Sequence, residues 1–184
     1  MEKLGDERGV AVTLNNIGVA HMNQGRYAEA LGYYERSLRL REKMGDEAGQ
    51  AVTLSNLGAV NRRQGRYAEA LGYYERGLRI QEKLKDEPGL GTTLNNMGFV
   101  YGSQGRYAEA LGYYERSLRI RERLADESGL AITLNNIGLA HGNQGRYAEA
   151  LAYHERALAI AERLGMAERS LFRENRDSVR ARVR

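Results

Sequence analysis

The chain has 184 residues, of which 42% are hydrophobic and 28% charged, with a net charge of +4. That composition can build a buried core and excludes a disordered or fibrous chain, and the absence of cysteine excludes disulfide frameworks, thiolate nucleophiles and cysteine zinc sites. No apolar run is long enough for a bilayer and the polar start MEKLGDER is no signal peptide, so the expected setting is cytoplasmic, with no membrane partner.

Residues 2–6, EKLGD, match residues 42–46 except for Leu4 in place of Met44, so residues 1–5 read as the tail of a preceding helix and the chain as a piece of a longer array. The segment QGRYAEALGYYER then occurs at 24–36, 64–76 and 104–116 and returns as QGRYAEALAYHER at 144–156, a period of 40. Self-similarity at that spacing means stacked supersecondary units, none of which buries its apolar face alone. The units fall at 6–45, 46–85, 86–125 and 126–164.

Within the first unit Val10, Leu14, Ile17, Ala20 and His21 recur at helical spacing, and Ala30, Leu31, Tyr34, Leu38 and Met44 do so again, which predicts two helices per unit. Asp6, Asp46, Asp86 and Asp126 are placed to cap the first helices. Pro88, the only proline, falls in a first turn where its missing amide costs nothing. Gly25 and its equivalents at 65, 105 and 145 sit where the chain must turn, a position that favours positive φ. Gly18, Gly58, Gly98 and Gly138 lie mid-helix at a cost of about 0.5–1 kcal/mol each relative to alanine. Close packing against Ala30, Ala70, Ala110 and Ala150 is the expected compensation.

After Leu164 the repeat is abandoned. Leu171, Phe172, Val179 and Val183 keep helical spacing, predicting a capping helix over about 167–181 within a terminal segment 165–184. Arg169, Arg173, Arg176 and Arg180 would form a stripe on its other side. That stripe reads as a solvated cap face or as a surface for nucleic acid, an anionic membrane or an acidic partner, and nucleic acid is the weaker expectation.

Leu14, Ile17, Gly18, Gly25, Tyr27, Ala30, Tyr34 and Ser37, recurring over residues 6–164, resemble the signature of the tetratricopeptide (TPR) repeat. Units of that family usually have about 34 residues, and the longer units here, with their LNNIG and GD signatures, resemble the arrays of kinesin light chains, of Pins/LGN cell-polarity adaptors and of bacterial signalling proteins. The resemblance implies an all-α, right-handed α-solenoid of four helix-turn-helix repeats with a C-terminal capping helix. It also implies a non-enzymatic binding scaffold whose first helices line a concave groove.

Comparing the units separates scaffold from variation. The second helices are nearly copies, whereas the first helices diverge at VAHMN (19–23), AVNRR (59–63), FVYGS (99–103) and LAHGN (139–143). If the groove is lined as in TPR arrays, Asn16, Asn56, Asn96 and Asn136 form a ladder flanked by Asn15, Ser55, Asn95 and Asn135. Each amide carries a donor and an acceptor for the backbone of an extended peptide. The alternative is that these amides bridge adjacent repeats or face water. With first helices about 10 Å apart and about 3.3 Å per extended residue, four repeats would hold roughly ten residues. Arg62 and Arg63 are the only charges in the variable block and suggest an acidic ligand residue, or a helix end whose cations suit the dipole. Phe99 and Tyr101 suggest an apolar pocket, unless Tyr101 packs between helices. The cationic carboxylate clamp of chaperone adaptors is absent, since the matching positions hold Asn15, Val19, Asn56, Thr92 and Asn96.

No catalytic motif is present. His21 and His141 lie in separate repeats, His154 replaces a recurrent tyrosine, and no phosphate loop, HExxH or nucleophile turn occurs. The expected function is therefore a protein-interaction scaffold without cofactor or metal that binds an extended protein or peptide segment, acidic where Arg62 and Arg63 face the ligand rather than merely end a helix. The alternatives are end-to-end self-assembly through uncapped terminal repeats, giving a homo-oligomer, and a sensor segment of a larger regulator.

Overall fold

The computed structural model describes residues 2–183, with side chains from Glu7 onward. Among these residues there are nine helices and no strand: α1 (Glu2–Asn23), α2 (Tyr27–Met44), α3 (Glu47–Arg63), α4 (Tyr67–Leu84), α5 (Glu87–Ser103), α6 (Tyr107–Arg123), α7 (Glu127–Asn143), α8 (Tyr147–Leu164) and α9 (Arg169–Arg180). They divide into two compact units, residues 1–89 and 90–184. Within each, consecutive helices pack as pairs, in the manner of a helical-repeat fold.

The helix ends follow local chemistry. Asp46 Oδ1 accepts from the Gly49 amide at 3.1 Å, and Asp86 and Asp126 repeat the bond to Gly89 at 3.1 Å and Gly129 at 3.0 Å. Each satisfies one of the amides that a helix start leaves without a partner. Asp6 lies within α1, which is helical from Glu2 onward, and the expected cap falls on a side chain outside the described residues. Pro88 stands in the first turn of α5. The tight connections take positive φ at Gly25, Gly65, Gly105 and Gly145, from 73° to 76°.

In the first unit the core joins Ala30, Tyr34 and Leu38 of α2 to Leu54, Leu57 and Val60 of α3. In the second, Ala110 and Tyr114 of α6 pack on Ile137 and Ala140 of α7, while Ala157, Leu158 and Ala161 of α8 pack with Phe172 of α9. Burying such side chains contributes about 1.5–3 kcal/mol for each large one. The mid-helix glycines are explained by a different partner from the one expected. A Cβ on Gly18 would meet the Tyr34 ring at 2.7 Å, one on Gly58 would meet Tyr74 at 2.4 Å, and one on Gly138 would meet His154 at 2.8 Å. The nearest compensating contact is a buried ring on the second helix, and at Gly98 the Ala110 carbonyl, at 3.1 Å, stands beside it.

The C-terminal helix packs on α8 as a cap, two residues shorter at its start than expected. Phe172 and Val179 are buried, while Leu171 and Val183 of the same predicted stripe remain exposed. Phe172, Asn175 and Val179 stand 39 residues after Thr133, Asn136 and Ala140 of α7, whose environments they repeat. Thus α9 is built like the first helix of one more unit with one residue deleted.

Candidate functional site

The asparagines of the first helices divide into two kinds. Asn15, Asn95 and Asn135 are buried, whereas Asn56, Asn96 and Asn136 are half-buried and Asn16 is exposed. Asn56 Nδ2 donates to Asn15 Oδ1 at 3.0 Å, and Asn136 Nδ2 donates to Asn95 Oδ1 at 3.1 Å, where Thr133 Oγ1 also donates at 3.3 Å. Asn175 of α9 continues the pattern, donating to Asn135 Oδ1 at 3.0 Å. These bonds join successive first helices, so the acceptors at Asn15, Asn95 and Asn135 are spent inside the protein. Bridging between repeats, one of the two sequence readings, describes Asn15, Asn56, Asn95, Asn135 and Asn136, while Asn16 is exposed and Asn96 half-buried. Ser55 is half-buried and bonded within the fold.

The two arginines part company as well. Arg63 is exposed, while Arg62 is half-buried beside Tyr74. Burial pushes the Tyr74 phenol up, and the Arg62 guanidinium opposes that rise.

Phe99 and Tyr101 do not share a pocket. Tyr101 stacks on Tyr113 with ring centroids 5.0 Å apart and has Arg106 4.5 Å over its face. His21 on Tyr33 and His141 on Tyr153 repeat this stack, so both histidines are packing residues. Phe99 is instead 38% exposed and lines a recess of about 210 Å³ with Gly102, Tyr107, Tyr114, Asn136 and Leu139.

An equivalent recess, of about 180 Å³, follows between α7, α8 and α9. Leu139 takes the place of Phe99, Tyr147 that of Tyr107, His154 that of Tyr114 and Asn175 that of Asn136, and Arg182 stands at the mouth. Leu139 and Asn143 line both recesses. Tyr107, Tyr114, Tyr147, His154 and Arg182 are not expected as groove-forming from sequence. The available signal was that Leu139 and Asn143 belong to a variable block and that His154 breaks a run of tyrosines.

His154 is fully buried, with Nδ1 3.0 Å from Asn135 Oδ1. Burial pushes its imidazole down to about 4. The arginine stripe of α9 is largely occupied. Arg173 pairs with Glu162 at 2.5 Å, Arg180 with Glu155 at 2.7 Å and Arg176 with Asp177 at 2.7 Å, while Arg169 donates to the carbonyls of Gly165 and Met166. These pairs agree with the solvated cap face of the two readings. Among the described residues no three His, Asp or Glu side chains come together as a metal site, and no helix is long and apolar enough to cross a membrane.

Two stretches, residues 9–83 and 89–163, match the tetratricopeptide repeat family model. The chain belongs to the tetratricopeptide repeat family, whose repeats build protein-interaction scaffolds and are in general non-enzymatic. Its fold is similar to that of BtubC (BKLC) from P. vanneervenii, at 23% identity and a TM-score of 0.84 over 96% of this chain and 74% of that one. It is also similar to aspartyl phosphate phosphatase F from Bacillus subtilis, at 17% identity and a TM-score of 0.88 over 94% of this chain and 46% of that one. No curated protein sequence matches the chain.

Proposed function

We propose that the chain is a non-catalytic module, organised as repeats at 6–45, 46–85, 86–125 and 126–164, that binds an extended protein segment along its first helices. The observation that carries this reading is the pair of equivalent recesses that share Leu139 and Asn143. One repeat offers about 10 Å of advance, which matches side chains three residues apart on one face of a polyproline II-like extended segment, at about 3.1 Å per residue and three residues per turn. The apolar recess at Phe99 suits an aliphatic or aromatic side chain; in the first unit, taken by itself, Arg63 is exposed. The lack of cysteine agrees with a cytoplasmic setting.

The test is retention of a positional-scanning library of decapeptides on the immobilised protein. Wild type should retain a subset with an apolar preference at one position, and Leu139→Asp should lose most of it at an unchanged melting temperature, since Leu139 is 38% exposed. Equal retention by both proteins would count against this site.

End-to-end association is a second reading, favoured by one observation. Thr13 and Ala20 of α1 are exposed, whereas Thr53, Thr93 and Thr133 are fully buried and Val60, Val100 and Ala140 are at most 4% exposed. That face of α1 has the residues of a repeat junction, and among the described residues it is exposed. A sedimentation coefficient that grows with concentration in wild type but not in Ala20→Glu would support association; a constant one would exclude it.

A further inference from the structure

The recess between α7, α8 and α9 differs from its neighbour in chemistry. Tyr34, Tyr74 and Tyr114 occupy the position of His154 in the other units, each buried. Replacing the phenol by a shorter imidazole removes volume from the floor and puts a nitrogen there. The reason for the replacement lies in the capping helix. In the preceding repeat Asn95 Oδ1 receives Thr133 and Asn136. Around Asn135, the residue equivalent to Thr133 is Phe172, which has no hydroxyl. His154 Nδ1 supplies the missing donor, and Asn175 supplies the other at 3.0 Å.

That arrangement fixes the tautomer. Asn135 Oδ1 is an acceptor, so the imidazole proton sits on Nδ1 and Nε2 presents a lone pair. Nε2 is buried and has no partner within the protein. A buried acceptor left unpaired keeps the full cost of its lost hydration, which a ligand donor would offset. At the mouth of the same recess Arg182 donates to the Tyr147 hydroxyl at 3.3 Å and lies 5.5 Å over its ring. The recess therefore joins a buried acceptor, His154 Nε2, to an exposed donor, Arg182, in a lining that is apolar at Leu139 and Val179 and polar at Asn143, Asn175 and Ser178. Its 180 Å³ exceed the share of a single water, about 30 Å³.

We propose that this recess binds a primary amide, the side chain of an asparagine or glutamine in the bound segment, whose N–H donates to His154 Nε2 and whose carbonyl accepts from Arg182. A primary amide is the side-chain group that matches both ends. A carboxylate would meet the lone pair of Nε2 with its own, and an aliphatic chain would leave Nε2 unpaired. Burial keeps the imidazole neutral near neutral pH, which preserves the acceptor. The inference rests on the groove reading for the source of the amide and on the recess alone for its chemistry.

The test uses propionamide as the isolated side-chain group and full-length protein labelled with nitrogen-15. Long-range proton–nitrogen spectra should show His154 Nε2 unprotonated and moving saturably as propionamide is added, with the Gly142 amide moving alongside. His21 and His141 should stay still, and propanol and propionate at equal concentration should move His154 less. His154→Tyr, which restores the residue of the other repeats, should keep the helical circular dichroism and abolish the Gly142 response. An immobile Nε2, or an equal response to propanol, overturns the proposal and leaves the segment-binding reading standing. Propionamide binding without any Asn or Gln preference in the decapeptide library overturns the assignment to a bound segment.

Discussion

Asn136 donates its side-chain amide to Asn95 Oδ1 at 3.1 Å, and the acceptor is a residue that is only 8% exposed. The bond joins the first helices of two successive repeats at a place where a purely apolar contact would allow them to slide. Amides paired in this way specify register, because each needs its partner at one position along the helix.

Asn95→Ala should therefore destabilise the fold. It leaves both Asn136 Nδ2 and Thr133 Oγ1 short of an acceptor, and stranding a buried polar group costs about 1–3 kcal/mol. Urea denaturation would show a lower midpoint. An unchanged midpoint together with weaker peptide retention would mean that Asn95 serves the ligand instead.

How far the sequence could be read follows from the range of each signal. The capping aspartates and Gly25 act within a few residues of chain, so repetition alone made them legible. Gly18 was recognised as a close approach, but its partner, Tyr34, is set by the rotation of one helix about the other, which spacing along one helix does not contain. The same limit applied to Asn15 and Asn16. Their face was evident, and whether a ligand or the next repeat met them depends on the offset between first helices. Tyr101 and Phe99 are two residues apart and point to different neighbours, a stacked ring and a recess. The α9 arginines carried a net charge in sequence that Glu155 and Glu162, about a dozen or more positions earlier, offset in space.

Two glycines in helix interiors should respond oppositely to a side chain. Gly77 has ordinary room, with the Ala51 carbonyl 3.7 Å from a modest Cβ. Ser37 and Ser117 at the equivalent position donate to the carbonyls of Ala11 and Gly91 at 2.7 Å. Gly77→Ser should then gain about 1 kcal/mol from helix propensity and the restored hydrogen bond. Gly98→Ala would place its Cβ 2.7 Å from the Tyr114 ring and 3.1 Å from the Ala110 carbonyl. Overpacking at about 1–3 kcal/mol outweighs the propensity gain, so this variant should melt lower. Similar shifts for both would contradict the packing described.

Lys85 ends α4 in the left-handed region at φ 55°, where α2 and α8 end on Gly45 at 66° and Gly165 at 65°. A side chain in that region costs about 1–2 kcal/mol, more than the extra unfolded-state entropy of glycine, roughly 0.4–1 kcal/mol. Lys85→Gly should raise stability by about 0.5–1 kcal/mol in thermal or chemical denaturation. Loss of stability would mean that the lysine side chain makes a compensating contact.

His154 should make stability depend on pH in a defined window. Its imidazole is held down to about 4 by burial, against an ordinary value near 6.5. The folded state therefore binds fewer protons than the unfolded chain between those values, and stability rises with pH across them. The contribution is fully present above about pH 6.5 and is lost as pH falls toward 4. Each unit of displacement corresponds to about 1.4 kcal/mol, so the loss should approach roughly 3 kcal/mol. His154→Tyr has no group titrating in that range at this position, and every other residue is common to the two proteins. The difference between the two stability curves thus isolates the buried imidazole. It should be flat above neutral pH and should shift in favour of the tyrosine variant as the medium is acidified; parallel curves down to pH about 4 would show that the imidazole is reached by solvent and titrates as in the unfolded chain.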